Sequence, residues 1–410
     1  MVNSVNTTRC LQRSCVVVAS AVALTAASLI VPVAPAHAAD PITAADQPYF
    51  TYYHLDQARA KGYTGKGVTI AMIDGPVETS ALELTGASIQ EKETCSINSS
   101  LASKSHGTSV ASILVSRNYG VAPDATLLTY LTGSRQDGDQ PSSDCFDDTK
   151  HIKYGYAWLL NSAMNDGAQI INLSSSSTSQ ENELKWAIAR SMAQGIIITA
   201  SAGNEATDGN TTSLSQWSGV VGVSAIGIDD SRQDYSSWGQ GVTTAAVGGP
   251  LVVHDYSSGQ VRQVSGTSVS APIVAGTLAL ARQKWPNATS NQLLQLLVKT
   301  GLNPDHGWNQ YMGYGAIDPA AIVNTDPTQF PDENPLADKG GGSSPTPAEV
   351  QQYADGVVDP TEVVNDRSYT YRGLDESKLT EPMNTSMTHL GTSGSSELSV
   401  GDRVLSGGCG

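Results

Sequence analysis

The stretch from residue 126 to residue 200 constrains the fold most, because its hydrophobic period switches back and forth. Thr126 to Leu131 reads as a strand. Thr149 to Asp166 carries Ile152, Tyr156, Leu159, Leu160 and Ala163 at helical spacing, with Gly167 as a stop. Ala168 to Leu173 reads as a buried strand. Gln180 to Gln194 places Leu184, Ile188 and Met192 on one helical face ahead of Gly195, and Ile196 to Ala200 follows as another strand. Strand and helix in alternation specify an α/β domain: a parallel sheet with helices on both faces. Val68 to Ile73, Val220 to Ala225 and Val242 to Val247 supply further strands. Leu251 to His254 and Gln260 to Val264 flank Ser257-Ser258-Gly259 as a hairpin. The apolar stripes are core and imply no cofactor.

In open parallel sheets, chemistry collects at the C-terminal strand edge. Four residue types with the right chemistry fall at such places. Asp74 closes the first strand, and Gly75-Pro76 stops it. His106 lies in Ser105-His106-Gly107-Thr108, read as the junction of a loop and a helix start. Asn204 follows the strand ending in Ala202-Gly203. Ser268 sits in Gly266-Thr267-Ser268, opening an apolar helix that runs towards Trp285. A serine there lies beside unpaired N–H groups and the positive end of a helix dipole. It is a weak nucleophile until a base takes its proton, which a histidine titrating near neutrality can do. Asp74 would orient the ring and stabilise imidazolium. Asn204 and the Ser268 N–H would receive an oxyanion. The Gly-x-Ser-x-Gly elbow of the α/β-hydrolases is excluded, since Ser270 stands at its second glycine.

The order Asp, His, Ser, together with Tyr63-Thr64-Gly65-Lys66-Gly67-Val68, His106-Gly107-Thr108, Ala202-Gly203-Asn204, Gly266-Thr267-Ser268 and Gly313-Tyr314-Gly315-Ala316-Ile317-Asp318-Pro319, resembles the subtilisin-like (subtilase) serine proteases over about residues 46 to 325. The resemblance implies a subtilisin-like fold and endopeptidase activity through an acyl-enzyme. It also implies substrate contacts at Leu173, Ser174, Ser175, Ser176, Ala202 and Gly203. Three positions depart from the family pattern. Gly75-Pro76 replaces the usual Ser/Thr-Gly after the aspartate, removing a neighbouring hydroxyl. Ser109 replaces the second histidine of His-Gly-Thr-His. Asn172-Leu173 runs into Ser174-Ser175-Ser176-Ser177 where the pocket edge usually reads Ser-Leu-Gly.

The termini read differently from the middle. Arg9 and Arg13, an apolar run from Cys15 to Val31, and Ala36-His37-Ala38 form a signal peptide over residues 1–38. Cleavage is expected between Ala38 and Ala39, which makes the mature chain secreted; an uncleaved anchor is the alternative. No second apolar run approaches a membrane span. Residues 39–62 are too few for a pro-domain and read as an N-terminal extension packing on a catalytic domain over residues 63–325. Residues 326–410 read as an acidic, low-complexity linker and disordered C-terminal tail, with a short helix near Pro347 to Tyr353 that would have little to pack on.

Losing Arg9 and Arg13 takes the formal charge from −16 to −18, which argues against nucleic acid as a partner. In an oxidising compartment Cys95 and Cys145 are expected to form a disulfide between two loops bordering the cleft, leaving Cys409 over. The insertion Ser134 to Asp148 holds Asp137, Asp139, Asp144, Asp147 and Asp148. It could favour basic substrate residues, supply oxygen ligands to a structural calcium without any recognisable calcium-loop spacing, or be a solvated loop. His54, His151, His254, His306 and His389 show no zinc spacing, so no metal and no chemical cofactor is required. The resulting expectation is a secreted serine endopeptidase acting on peptide or protein substrates, in a dedicated processing role. The rivals are a catalytically silent subtilase fold used for binding and an esterase.

Overall fold

The computed structural model describes residues 41–132, 138–146, 154–175, 182–209, 213–303, 307–340, 343–375 and 388–389. The chain enters through α1 (Pro48–Tyr52), with proline at the first position where no N–H is needed, and α2 (Leu55–Ala60). Then come β1 (Thr69–Asp74), β2 (Ser88–Lys92), the two-residue β3 (Ile97–Asn98) and α3 (Leu101–Val115). β4 (Thr126–Leu131), the two-residue β5 (Gln140–Pro141), α4 (Tyr156–Asn165), β6 (Ile170–Leu173), α5 (Asn182–Gln194) and β7 (Ile197–Ser201) follow. β8 (Val220–Ile226), β9 (Val242–Val247), the hairpin β10 (Leu251–Asp255) and β11 (Gln260–Val264), α6 (Thr267–Lys284), α7 (Ser290–Thr300), α8 (Pro319–Asn324) and α9 (Pro347–Asp355) complete the set used below.

The main sheet has seven strands in the order β2-β4-β1-β6-β7-β8-β9. Every pairing in it is parallel. Parallel strands buried on both faces read as continuous apolar runs, and β1 shows why. Ile70 and Met72 join the core built with α3 and α6, whereas Ala71 and Ile73 join the core built with α4 and α5. β4 divides the same way, Leu127 to one side and Leu128 and Tyr130 to the other. The expected α/β architecture, with helices on both faces, is therefore present. The chain leaves β1 for β2 and then β4 on one side before it crosses to β6 on the other, so β1 ends at a topological switch point.

α6 is apolar on every side and buried from Val269 to Ala281, as a central helix must be. Pro272 sits inside it and removes the N–H that the Ser268 carbonyl would accept. Packing holds the turn that the sequence alone would break. The segment before β1 packs on the rest of the domain. The Tyr49 hydroxyl donates to the Tyr119 carbonyl at 2.8 Å, Tyr53 accepts the Val247 N–H at 3.0 Å, and Gln47 Nε2 reaches the Val252 carbonyl at 2.7 Å. No helix among the described residues is long and apolar enough to cross a membrane.

The C-terminal reading needs correction. The chain does not become a linker at residue 326; its described residues stay packed on the domain as far as Tyr371 and Arg372. Lys339 Nζ donates to the carbonyls of Ser215 and Val220 at 2.9 and 2.6 Å. α9 has its full set of end signals: Thr346 as N-cap, Pro347 in the first turn, Glu349 closing a capping box, and a left-handed Gly356 at φ 72°. It packs on α5. Trp186 and Ala189 of α5 share a core with Tyr353, Val358, Val363, Tyr369 and Tyr371. At its centre Arg190 meets Asp366 at 3.1 Å, both nearly inaccessible. Arg190 also donates to Asn161 Oδ1 and Asn165 Oδ1 at 2.9 and 3.0 Å, and Asp366 accepts from the Ser368 N–H and hydroxyl and from Tyr353. Acidic composition concealed this segment because its few aromatic residues are concentrated on one surface. Residues 376–387 and 390–410, including Cys409, lie outside the described residues, as do residues 1–40.

Replacing Asp366 by Ala leaves Arg190 buried without its counter-charge. Removing one partner of a buried pair costs about 3–5 kcal/mol, so Asp366→Ala is expected to lower the unfolding free energy from denaturant titration by that amount. A loss under about 1 kcal/mol, the value of an exposed pair, would show that the segment does not stabilise the domain.

Candidate active site

The four residues singled out from the sequence come together at the C-terminal edge of the sheet. Asp74 is the last residue of β1, opposite Leu131 of β4, and is almost fully buried. Its Oδ1 accepts the Gly75 N–H and faces His106 Nδ1, both at 2.7 Å. Nδ1–H therefore points at the carboxylate, which assigns the base role to Nε2. The His106 side chain keeps about a third of its surface exposed. His106 is not at a helix start, as the sequence suggested, but lies well inside α3, whose N-cap is Ser100. Serines and Gly107 in that stretch resemble loop, but burial of Val110, Ala111, Ile113 and Leu114 on the core holds them helical. Gly107 is required there: a Cβ would collide with the carbonyl oxygens of Gly75 and Pro76.

Ser268 lies in the first turn of α6, among N–H groups the helix ladder leaves without acceptors. Its Oγ and the Asn204 amide close over Gly266. A Cβ on Gly266 would stand 3.3 Å from Ser268 Oγ and 3.1 Å from Asn204 Nδ2. Asn204 Oδ1 accepts the Thr267 N–H at 2.8 Å and the Thr267 hydroxyl at 3.1 Å. That fixes the amide's orientation and leaves its N–H₂ to donate elsewhere. Thr267 also accepts the Gly203 N–H at 3.1 Å and is wholly buried. It lies between nucleophile and amide, an orienting role the sequence reading did not assign. Gly203 has φ +106°, and a Cβ there would strike Glu205 Oε2, so glycine is needed.

These residues line one cleft of about 500 Å³, shared by Asp74, His106, Ser174, Ser175, Gly203, Asn204 and Ser268. The other expected substrate contacts divide. Leu173 is a core side chain on the α4 and α5 side of the sheet, and Ala202 is buried with its N–H on the Val223 carbonyl. Neither side chain lines the cleft; for Leu173, strand parity turns it inward. Ser176 lies outside the described residues. Ser174 accepts from Asn172 Nδ2 at 2.9 Å, and Ser175 Oγ is 2.8 Å from the Tyr156 hydroxyl. Burial raises the Tyr156 pKa, opposed by its hydrogen bonds to Ser175 and Thr132, so the phenol stays neutral and anchors the wall.

Cys95 and Cys145 form the expected disulfide, with Cα atoms 4.9 Å apart. Two of the five carboxylates of the acidic insertion are described, and both accept hydrogen bonds from the protein. Asp139 accepts the Ser100 N–H at 2.7 Å and the Ser103 hydroxyl at 2.8 Å, and Asp144 accepts the Ser96 N–H at 2.9 Å. Asp137, Asp147 and Asp148 lie outside the described residues. Among the described residues no group of three or more His, Cys, Asp or Glu side chains converges on a metal position.

The subtilase family model matches residues 65–315, more than half of the chain. The chain belongs to the subtilase family. It is a subtilisin-family serine endopeptidase, of the class with an Asp-His-Ser triad. It is 28% identical over 294 residues to subtilisin E of Bacillus subtilis (strain 168), covering 66% of this chain and 71% of that protein. It is 28% identical over 347 residues to mycosin-1 of Mycolicibacterium smegmatis, covering 71% and 76%. Among solved structures, MycP1 from the ESX-1 type VII secretion system aligns with a TM-score of 0.59 at 25% identity, over 72% of this chain and 90% of that one. The prenylagaramide maturation protease PagA shares the fold at a TM-score of 0.53 and 21% identity, over 66% and 96%.

An amide held by Thr267 beside Ser268 can stabilise a developing oxyanion. Asn204→Ala is expected to lower kcat by about 10²–10³-fold with KM little changed, the range known for the corresponding donor in a subtilisin rather than one obtained from this geometry. Steady-state kinetics on a peptide substrate check this, and an unchanged kcat would remove Asn204 from the oxyanion site.

Proposed function

We propose that this subtilase is an exported processing endopeptidase that cleaves peptide bonds through an acyl-enzyme on Ser268. His106 acts as general base and then general acid. Asp74 holds its tautomer and stabilises the imidazolium. Asn204 Nδ2 and the Ser268 N–H receive the oxyanion. The observation that carries the reading is the charge-assisted contact of His106 with Asp74 at 2.7 Å in the same cleft as Ser268 and Asn204. No metal or organic cofactor enters these steps.

Export rests on the basic, apolar and small-residue segments of residues 1–38. A restricted, processing-type substrate range is supported by two features. The cleft is bordered by a disulfide-tied insertion. The relatives include mycosin-1, and the structural neighbours include a secretion-system protease. A polar pocket wall at Ser174 and Ser175 favours small or polar side chains before the scissile bond over large apolar ones.

A serine-directed fluorophosphonate is expected to label the wild-type chain at Ser268 and to leave Ser268→Ala unlabelled. N-terminal sequencing of the exported chain should begin at Ala39. Failure to label the folded protein would turn the reading towards a silent binding fold, and turnover of esters without peptides would turn it towards an esterase.

A further inference from the structure

α3 carries His106, so whatever fixes the start of α3 fixes the base. Ser103, His106 and Gly107 are related by i, i+3 and i+4 and share one helical face. That face presses directly on the residues after Asp74. A Cβ on Gly75 would collide with Ser103 Oγ and with the Ser103 carbonyl, and one on Gly107 would collide with the carbonyls of Gly75 and Pro76. The departure from the family pattern after the aspartate thus has a steric cause: Gly75 makes room for Ser103. Ser103 does not replace the lost hydroxyl at Asp74, whose Oδ2 is buried with no hydrogen-bond partner. Its hydroxyl goes to Asp139 Oδ2 at 2.8 Å, while Asp139 Oδ1 takes the Ser100 N–H at 2.7 Å. Asp139 is 7% exposed and lines the catalytic cleft.

Asp139 arrives on a loop that is itself pinned. β3 and β5 pair Ile97 with Pro141 and Asn98 with Gln140. The Ser142 N–H donates to the Ser96 carbonyl at 2.9 Å, the Ser96 N–H donates to Asp144, and Cys145 is bonded to Cys95. We propose that Asp139 is a positioning residue for the His106–Asp74 pair, holding the first turn of α3 against the end of β1 through Ser100 and Ser103, with the Cys95–Cys145 disulfide keeping its loop in place. The proposal rests on the triad assignment above. Both carboxylate oxygens of Asp139 are engaged by the protein, and its negative charge stands at the positive end of α3. It acts through the helix and does not contact the reacting atoms.

Asp139→Ala removes both contacts. The expected result is a kcat lowered roughly 10- to 100-fold, the scale of an ångström-sized misplacement at a reacting centre, with KM changed by less than about threefold. The second-order rate of fluorophosphonate labelling at Ser268 should fall by the same factor. Asp139→Asn keeps the shape: its carbonyl can accept from Ser100 while its amide donates to a reversed Ser103 hydroxyl. It should recover most of the lost rate. Cys145→Ser should lower the rate in the wild-type background and have little further effect on Asp139→Ala, a non-additivity that marks one pathway. If Asp139→Ala does not fold, Ser103→Ala, which removes one contact, is read on the same scales with an expected loss of roughly 3- to 10-fold.

Wild-type kcat and labelling rate in folded Asp139→Ala or Ser103→Ala would overturn the proposal. So would an Asp139→Asn that behaves like Asp139→Ala while both raise KM only for Lys and Arg peptides, since Asp139 would then be a substrate-facing charge. Labelling is read independently of peptide turnover. A wild-type chain that labels but cleaves no peptide would defeat the processing role and still report on Asp139.

Discussion

Everything at the catalytic edge depends on the contact between α3 and the two residues that follow Asp74. Helix and strand end meet at backbone distance, across Gly75 and Gly107, with the Ser103 hydroxyl and carbonyl lying against Gly75. Such contacts tolerate little movement, because interiors packed at crystal-like density have no slack to absorb it. The His106–Asp74 hydrogen bond is a consequence. One partner is fixed by the parallel pairing of β1 with β4 and β6, the other by the pitch of α3. A displacement of either element by a fraction of a helical turn would part the two atoms that lie 2.7 Å apart.

The second half of the site is built by the opposite device, a helix beginning rather than a helix flank. α6 is held in the core on all sides, which fixes its first turn and so the position of Ser268. Thr267, inside that turn, takes hold of Asn204 and Gly203 at the end of β7. The base therefore belongs to α3, packed on β1, β4 and α6 itself, and the nucleophile to α6, packed on β6, β7, β8 and β9. The sheet register and the direct contact of the two helices relate them.

Outside the edge, the chain wraps its own domain at both ends. The extension before β1 contributes Tyr49, Tyr53 and Leu55 to the core beside α3. The segment after α8 covers the outer surface of α5 with aromatic side chains around Arg190 and Asp366. Burial lowers the Arg190 pKa, with Asp366 opposing that shift, yet a guanidinium stays charged throughout the physiological range. The pair thus acts as a specific lock between segments far apart in sequence rather than as a titrating group.

The residues of the site were legible because their chemistry is local: an acid closing an apolar strand, a glycine-flanked asparagine, a serine at the start of an apolar helix. The alternating periods from Thr126 to Ala200 likewise determined a parallel sheet with two covered faces, since a strand buried on both sides and a helix with one apolar stripe admit few other arrangements. Three things were not legible. His106 lies inside a helix because core burial outweighs the loop-like composition around it. Asp139 reads as one of five similar carboxylates in a polar insertion, and only the tertiary fold brings it to Ser100 and Ser103. The packed segment from residue 326 to 372 carries cap signals in its sequence, but its partner surface on α5 lies more than 150 residues away. Sequence by itself determined which chemistry the chain carries and which elements it forms, because those depend on neighbours along the chain. Tertiary structure decided which carboxylate serves the helix, which serine faces the cleft and that the segment after residue 326 packs on α5, because those depend on contacts between residues far apart in sequence.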